Sequence, residues 1–338
     1  MTNFENSTRR VAVFGASGHT GRFVVEELLR RGLAPVAVGR RAEALEAAFS
    51  DGGVAIRTAS VEDPETLDRA FEGAAAVINC AGPFLDTAEA VAAAALRAGA
   101  HYVDVSAEQP SAQAVFDRFD GPARAAGLVV LPAMGFYGGL ADLLVTAAMG
   151  GWAEADDIQI GIGIDRWWPT KGTRVTGARN TAPRQVIVGG RLAPLPNPAP
   201  RTTWIFPEPL GSQAMVEVPF SEVVVIARHL KTARLDTFLG ETALADVRDA
   251  ATPPPTAIDE RGLSAQRFVV EAIVRRGDQT RRATASGRDI YGFTAPLVCE
   301  AVERLLAGGG ASGALAPGEA FDAADFLGAL PFDGLAIA

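Results

Sequence analysis

The sequence predicts an α/β chain: a doubly wound parallel sheet at the N-terminal end, followed by a second domain built on a largely antiparallel sheet. Two observations carry this expectation. From Val11 to about Gly135, short apolar runs alternate with helical segments, the pattern of a parallel sheet covered on both faces. After about residue 140 the rhythm becomes a strict alternation, as in DIQIGIGID, where Ile158, Ile160, Ile162 and Ile164 share one face and Gln159, Gly161 and Gly163 the other.

The first region reads as strands at 11–14, 35–38, 54–58, 76–79, 101–105 and 128–131, with helices near 20–31, 41–49, 64–71, 86–98 and 111–126. Gly32 and Gly99 stand where a helix C-terminus favours glycine. In the second region, strands are expected at 185–192, 214–219, 222–227 and 267–275, with a hairpin turn in RRGDQTRR (275–282). The proline-rich stretches APLPNPAP (193–200) and TPPP (252–255) read as loops, because proline is excluded from helix interiors and central strands. Helix returns at 295–307, a flexible GGGASG (308–313) follows, and a short helix runs from about Gly318 to Leu330.

Composition bounds the function. The chain has 338 residues, 48% hydrophobic and 21% charged, enough to bury a large core. Its net charge of −9 contains no basic run, so nucleic acid is set aside as a partner. Cys80 and Cys299 in apolar surroundings suit free thiols in a reducing compartment, and the cytoplasm is the expected location. The first ten residues lack the apolar core of a signal peptide, and no run of about eighteen apolar residues spans a bilayer. The three histidines and two cysteines are not grouped at ligand spacings, so no metal is expected.

The stretch VAVFGASGHTGRF carries the clearest chemistry. Gly15 allows a tight turn after the first strand, Gly18 lets backbone approach a pyrophosphate, and Gly21 permits close packing of helix on sheet. The helix that follows presents unpaired amides and the positive end of its dipole to an anion, with Ser17 and Thr20 adding hydroxyls. At the end of the second strand an NAD site usually places a carboxylate for the ribose 2′-hydroxyl, but here the chain reads Gly39-Arg40-Arg41. Paired guanidiniums suit a 2′-phosphate, so NADP(H) is the preferred cofactor and NAD(H) the alternative. After the fourth strand, NCAGPF (79–84) is a run of small residues and a proline that lets the chain pass beside a flat ligand.

These motifs, FGASGHTGR, GRR, INCAGPF, HYVDVSAE and the late YGFTA, AVERLLAGG and GALAPGEAFDAADFL, together resemble the saccharopine dehydrogenase-like oxidoreductases. The resemblance implies a Rossmann domain at 1–139, an inserted α+β substrate domain at 140–288, and C-terminal helices at 289–338 returning to complete the first domain. It also implies a homodimer. By it, Gly15, Ala16, Ser17, Gly18, His19, Thr20 and Gly21 line the pyrophosphate, Arg40 and Arg41 the adenosine phosphate, and Ser60 and Val61 the adenine. Asn79, Cys80, Ala81, Gly82, Pro83 and Phe84 pass the ribose and nicotinamide, with Ser106 nearby. The chain departs from the family at His19, where an aromatic residue is common, at Ala107, and in GFYGGLADLL (135–144).

Proton carriers are harder to read. A Tyr-x-x-x-Lys pair is absent, because Tyr102, Tyr137 and Tyr291 are followed four residues on by Ser106, Ala141 and Ala295. The candidates stand at strand ends: Asp104, Ser106 and Glu108 after the fifth strand, Tyr137 and Asp142 after the sixth. Asp104 and Glu108 could equally cap turns or helices, and Tyr137 could equally pack. Lys171, a lone lysine in the loop WWPTKGTR, is a candidate carboxylate clamp, and His229 is read at the start of a helix.

The expected function is NADP(H)-dependent hydride transfer to or from a small carbonyl, imine or activated C=C substrate bound between the domains. A non-catalytic NADP(H)-binding sensor or scaffold is the alternative. Imine reduction would draw on Arg166, Arg174, Arg179 and Arg184 to grip carboxylates; an enone substrate would draw on an apolar slot of Trp167, Trp168, Trp204 and Phe206.

Overall fold

The computed structural model describes residues 10–50 and 53–338; most of the segment read as lacking a signal peptide lies outside them. The chain begins with β1 (Arg10–Phe14), α1 (His19–Arg30), β2 (Ala34–Gly39), α2 (Ala42–Ala48), β3 (Ala55–Thr58) and α3 (Pro64–Phe71). It continues through β4 (Ala76–Asn79), α4 (Phe84–Arg97), β5 (His101–Asp104), α5 (Gln109–Ala126) and β6 (Val129–Leu131). A π-turn at Phe136–Leu140 leads into α6 (Ala141–Met149), β7 (Glu154–Ile164), α7 (Lys171–Arg179), β8 (Gln185–Val188) and β9 (Arg191–Pro194). Next come β10 (Arg201–Ile205), β11 (Ser212–Glu217), α8 (Glu222–His229), β12 (Lys231–Gly240), α9 (Glu241–Arg248), β13 (Arg267–Arg276) and β14 (Gln279–Arg288). The chain closes with α10 (Ile290–Ala307), β15 (Gly313–Ala314), α11 (Pro317–Ala320), α12 (Ala323–Gly328) and β16 (Gly334–Ile337).

Two compact units emerge: Met1–Gly135 with Thr294–Leu315, and Phe136–Phe293 with Ala316–Ala338. The segment Ala316–Ala338 therefore belongs with the second unit, where the sequence reading gave the whole of 289–338 to the first. The reason is β16, which pairs antiparallel with β14 from Ser286↔Gly334 to Ala283↔Ile337.

The first unit is a seven-stranded sheet in the order β15-β6-β5-β4-β1-β2-β3, every pairing parallel. Its strands are apolar on both faces because helices cover both: Val11, Ala12, Val13, Val77, Ile78 and Val103 are fully buried. From β1 the chain winds one way through β2 and β3, then crosses to β4 and winds the other way. This reversal between β1 and β4 is a topological switch point, outside whose strand carboxyl ends such sheets bind ligands. The seventh strand, β15, has no counterpart in the sequence reading: it is two residues long, at the end of the stretch read as flexible, too short for any periodicity. Within this unit Arg31 clasps α1 to α10, donating to Glu27 and Glu300 at 2.6 and 2.7 Å and also to Glu303. Burial works to lower the Arg31 pKa, and the three carboxylates more than reverse it.

The second unit is a nine-stranded mixed sheet in the order β10-β11-β12-β7-β13-β14-β16, with the β8–β9 hairpin joined to β12. One central pair, β12 with β7, is parallel, so the sheet is not simply antiparallel. The single strand expected at 185–192 is this hairpin, turned by Gly189 and Gly190 at φ +59° and +75°, as a two-residue turn of that hand requires. The strand expected at 222–227 is helix α8. Its first residue, Glu222, accepts the Phe220 N–H at 2.8 Å, and this N-terminal bond sets a helix where the run VVVI alone favours strand. His229 consequently ends that helix instead of starting one. Lys171 likewise opens a helix, α7, capped by the Thr170 hydroxyl on the Thr173 N–H.

The glycines of β7 are explained by aromatic cover. A Cβ at Gly161 would lie 2.5 Å from the Trp204 ring, and one at Gly163 2.8 Å from Phe206. Trp204, Phe206, Met215, Phe238, Val269 and Ile273 form one buried cluster. Trp204 and Phe206 are therefore core, and the apolar slot expected of them is filled by their own packing on the sheet.

Candidate functional site

The first unit carries the glycine loop expected to cradle a phosphate. Gly15, at φ +83°, turns the chain out of β1, and its N–H and that of Ala16 both reach the Val38 carbonyl of β2. That left-handed conformation is cheap only for glycine. A Cβ on Gly15 would press within 2.9 Å of Ala81; one on Gly21 would meet Ala16 at the same distance, and one on Gly18 the Gly15 carbonyl at 3.1 Å. The loop thus lies flat against both the NCAGPF segment and the start of α1. That helix begins after Gly18 with no side-chain cap and no acidic residue in its first turn, which leaves its positive end uncompensated. His19, one turn before Phe23, sets its ring edge-on to it at 5.2 Å. Arg22 reaches back to the Ser17 carbonyl at 3.3 Å.

The other expected cofactor residues stand at the same carboxyl edge, as parallel strands demand. Arg40 and Arg41 follow β2 with exposed side chains, and neither enters a salt bridge among the described residues. Ser60 and Val61 form a turn after β3, with the Ser60 N–H on the Thr66 hydroxyl at 3.0 Å. Asn79 closes β4: its amide donates to Thr87 and Tyr102, and its oxygen accepts the Ala81 N–H at 3.0 Å, shaping the segment to Phe84. These residues fit a dinucleotide: close glycine backbone, an uncapped helix start, and two guanidiniums where a 2′-phosphate would lie.

Asp104 and Glu108 were offered as proton carriers, and the structure occupies both. Asp104, fully buried, accepts the Ser106 N–H at 2.9 Å, the Ala133 N–H at 2.8 Å and the Tyr102 hydroxyl at 2.9 Å. Glu108 takes the Phe84 and Leu85 N–H groups at 2.8 and 3.1 Å, capping α4 from across the sheet edge. Burial pushes both carboxyls up, against hydrogen bonds that pull them down. Ser106, also buried, accepts the Glu108 N–H. Cys80 and Cys299 are free thiols. Burial, with the Asp104 carboxylate, pushes Cys80 up to about 12, so it is no thiolate nucleophile.

The second unit carries a separate polar cage. Tyr137 is 8% exposed, and its hydroxyl has no hydrogen-bond partner among the described residues. Its ring meets Phe220 at 4.3 Å and Trp167 at 5.3 Å, tilted by 31° and 30° respectively, with Phe136 edge-on at 5.1 Å. Burial raises its pKa well above the usual value, and the charges of Glu222 and Arg184 reach it. Tyr291, a hub no sequence signal marked, is by contrast fully engaged: it accepts Trp167 Nε1 at 2.9 Å and bonds the Thr173 hydroxyl at 2.8 Å. Asp142 is engaged as well, by His229 Nε2 at 2.7 Å and the Gly318 N–H at 2.7 Å. Lys171 is exposed and is not part of the cage. Of the arginines expected to act together, Arg166 pairs with Asp246, whereas Arg174 and Arg184 line one cavity with Arg201 and Arg248. No spacing pattern marks the last two, because they come from different elements. Among the described residues there is no cluster of His, Cys, Asp or Glu that could hold a metal, and no helix long and apolar enough to cross a membrane.

Comparison with known proteins places these features. The family described as saccharopine dehydrogenase NADP binding domain matches residues 11–127. A saccharopine dehydrogenase-like oxidoreductase of Bos taurus is 30% identical over 152 residues, 39% of this chain and 35% of the relative. A lipid droplet localized protein of Caenorhabditis elegans is 32% identical over 146 residues, 39% of this chain and 34% of that protein. The matched stretch is thus only about a third of the curated relatives' length, 35% for the bovine protein. The apo saccharopine dehydrogenase (L-Glu forming) of Saccharomyces cerevisiae superposes with a TM-score of 0.62 over 94% of this chain and 96% of that one, at 16% identity, a likeness of fold.

The cytoplasmic location expected from cysteine usage is overturned by these relatives. One is named for the lipid droplet, and an Arabidopsis thaliana relative, 30% identical over 142 residues, for the mitochondrion. Free thiols report a reducing environment and do not choose among compartments that share one. Residues 11–127, which build the glycine loop at the end of β1, are thus similar to the NADP-binding domain of the saccharopine dehydrogenases.

Proposed function

We propose that the protein is an NADP(H)-dependent oxidoreductase acting on a small carbonyl, imine or activated C=C substrate. The cradle of Gly15, Gly18 and Gly21 at the switch point, with Arg40 and Arg41 at the end of β2, is the observation that carries this reading. Bound NADPH would supply the hydride. The chain's own part is to hold the pyrophosphate on the amides of α1 and the 2′-phosphate on the guanidiniums, and to shape the segment from Asn79 to Phe84. Asp104 and Glu108 act here as positioning residues, since their carboxyls are taken up by backbone N–H groups and, at Asp104, by the Tyr102 hydroxyl. Tyr137 is the hydrogen-bond donor to the substrate heteroatom: a buried hydroxyl without a partner is a costly group to keep, and its raised pKa keeps it protonated.

Thermal denaturation with each of the four nicotinamide nucleotides tests the cofactor. NADPH and NADP at 100 times their Kd should stabilise by about 2.7 kcal/mol, with smaller shifts from NADH and NAD at the same concentration. Arg40→Asp should reverse that order, and equal shifts from NADH and NADPH on the wild type would remove the argument.

A further inference from the structure

The second unit contains a cavity of about 740 Å³ walled by α7, α9, the end of β11 and the loop from Leu195 to Arg201, a size typical of small-molecule sites. Four arginines line it, Arg174, Arg184, Arg201 and Arg248, against two carboxyls, Glu217 and Glu241. Glu241 is neutralised by Arg201 at 2.6 Å, and Glu217, 2% exposed, is bound to Asp236. Arg174 instead donates to the carbonyls of Asp249 and Thr252, at 3.1 and 2.7 Å. Arg184 donates to the Pro219 carbonyl and lies over the Phe220 ring at 4.9 Å. None of Arg174, Arg184 and Arg248 forms a salt bridge among the described residues. Burial lowers the Arg184 pKa, Glu222 opposes this, and Arg248 adds to it, as expected where cations crowd in a half-buried wall. Apart from Thr173 and Asn197 the rest of the wall is apolar, including Leu195, Pro198, Val216, Val218, Leu244 and Val247.

Four guanidiniums against two carboxyls in one cavity wall, in a chain whose net charge is −9, call for an anion. The apolar wall calls for a hydrocarbon beside it. An amino acid fits less well, because its ammonium would face a wall of four arginines against two carboxyls. We propose that this cavity binds an amphiphilic organic anion, its carboxylate or phosphate head on Arg174, Arg184 and Arg248 and its unbranched apolar body along the wall. Binding here is independent of hydride transfer and of the cradle in the first unit.

Calorimetric titration of the full chain with hexanoate, decanoate, decyl phosphate, decylammonium and glutamate tests this. Decanoate should bind at one per chain and at least tenfold more tightly than hexanoate, since each buried methylene is worth about fourfold in affinity. Whichever of decanoate and decyl phosphate binds more tightly identifies the head group. Arg248→Glu, at an exposed position, should weaken both at least tenfold while leaving the melting temperature and NADPH titration unchanged. The proposal fails if no decyl anion binds, if decylammonium or glutamate binds as tightly as decanoate, if chain length has no effect, or if Arg248→Glu and Arg174→Gln both leave affinity intact.

Discussion

At Gly21 a single methyl group would have to share space with Ala16, 2.9 Å away, and with the Gly15 carbonyl. Gly21→Ala should therefore push the loop off its path, at a cost of about 1–3 kcal/mol, and weaken NADPH at least tenfold in a fluorescence titration. Tyr137 makes the opposite case. Its hydroxyl is buried and unpartnered, so Tyr137→Phe should keep or raise the melting temperature while turnover falls about 100-fold or more. A variant that lost stability and activity together would mark Tyr137 as a packing residue. His19 shows what a motif cannot carry: the glycine spacing says nothing of it, and the structure accounts for its ring by the edge-on contact with Phe23 one turn later.

At the scale of elements, Asp142 ties the end of α8 to the start of α11, through His229 on one side and the Gly318 N–H on the other. Burial acts to lower the His229 pKa, and the Asp142 carboxylate, by charge and hydrogen bond, outweighs it and raises the group above 6.5. A histidine whose folded pKa is raised stabilises fully below its unfolded value and loses that contribution as pH climbs through the folded one. His229→Gln should therefore cost about 1–3 kcal/mol at pH 6, and the gap between its melting temperature and that of the wild type should narrow as the buffer pH is raised through the folded-state pKa. A gap constant across that range would assign the effect to packing alone. The sequence made some elements plain and hid others for physical reasons. The strands and helices of the first sheet were legible because period, caps and glycines agree from Val11 to Leu131. Helix α8 was not, because a β-branched run outweighs one capping carboxyl unless the loop before it is known. The cavity arginines were not, because residues 174, 184, 201 and 248 converge only through the sheet.

At the scale of the whole molecule, each unit is assembled from two stretches of chain. In the first, Cys299 and Val302 on α10 are fully buried, and Arg31 holds α1 to the same helix. A fragment ending at Gly135 lacks that helix and the partner of β6, so it should show a broad transition or remain insoluble, whereas residues 1–135 joined by a short glycine linker to 294–315 should melt cooperatively. Circular dichroism on the two fragments decides between them. The two-residue strand β15 also has a consequence in time. It docks on Val129 and Val130, but the ribosome makes it only after the whole of the inserted stretch that ends at Phe293. At about 5–20 residues per second, the nascent nucleotide domain waits on the order of ten to forty seconds with one sheet edge bare. During that interval its protection against mispairing has to come from chaperones.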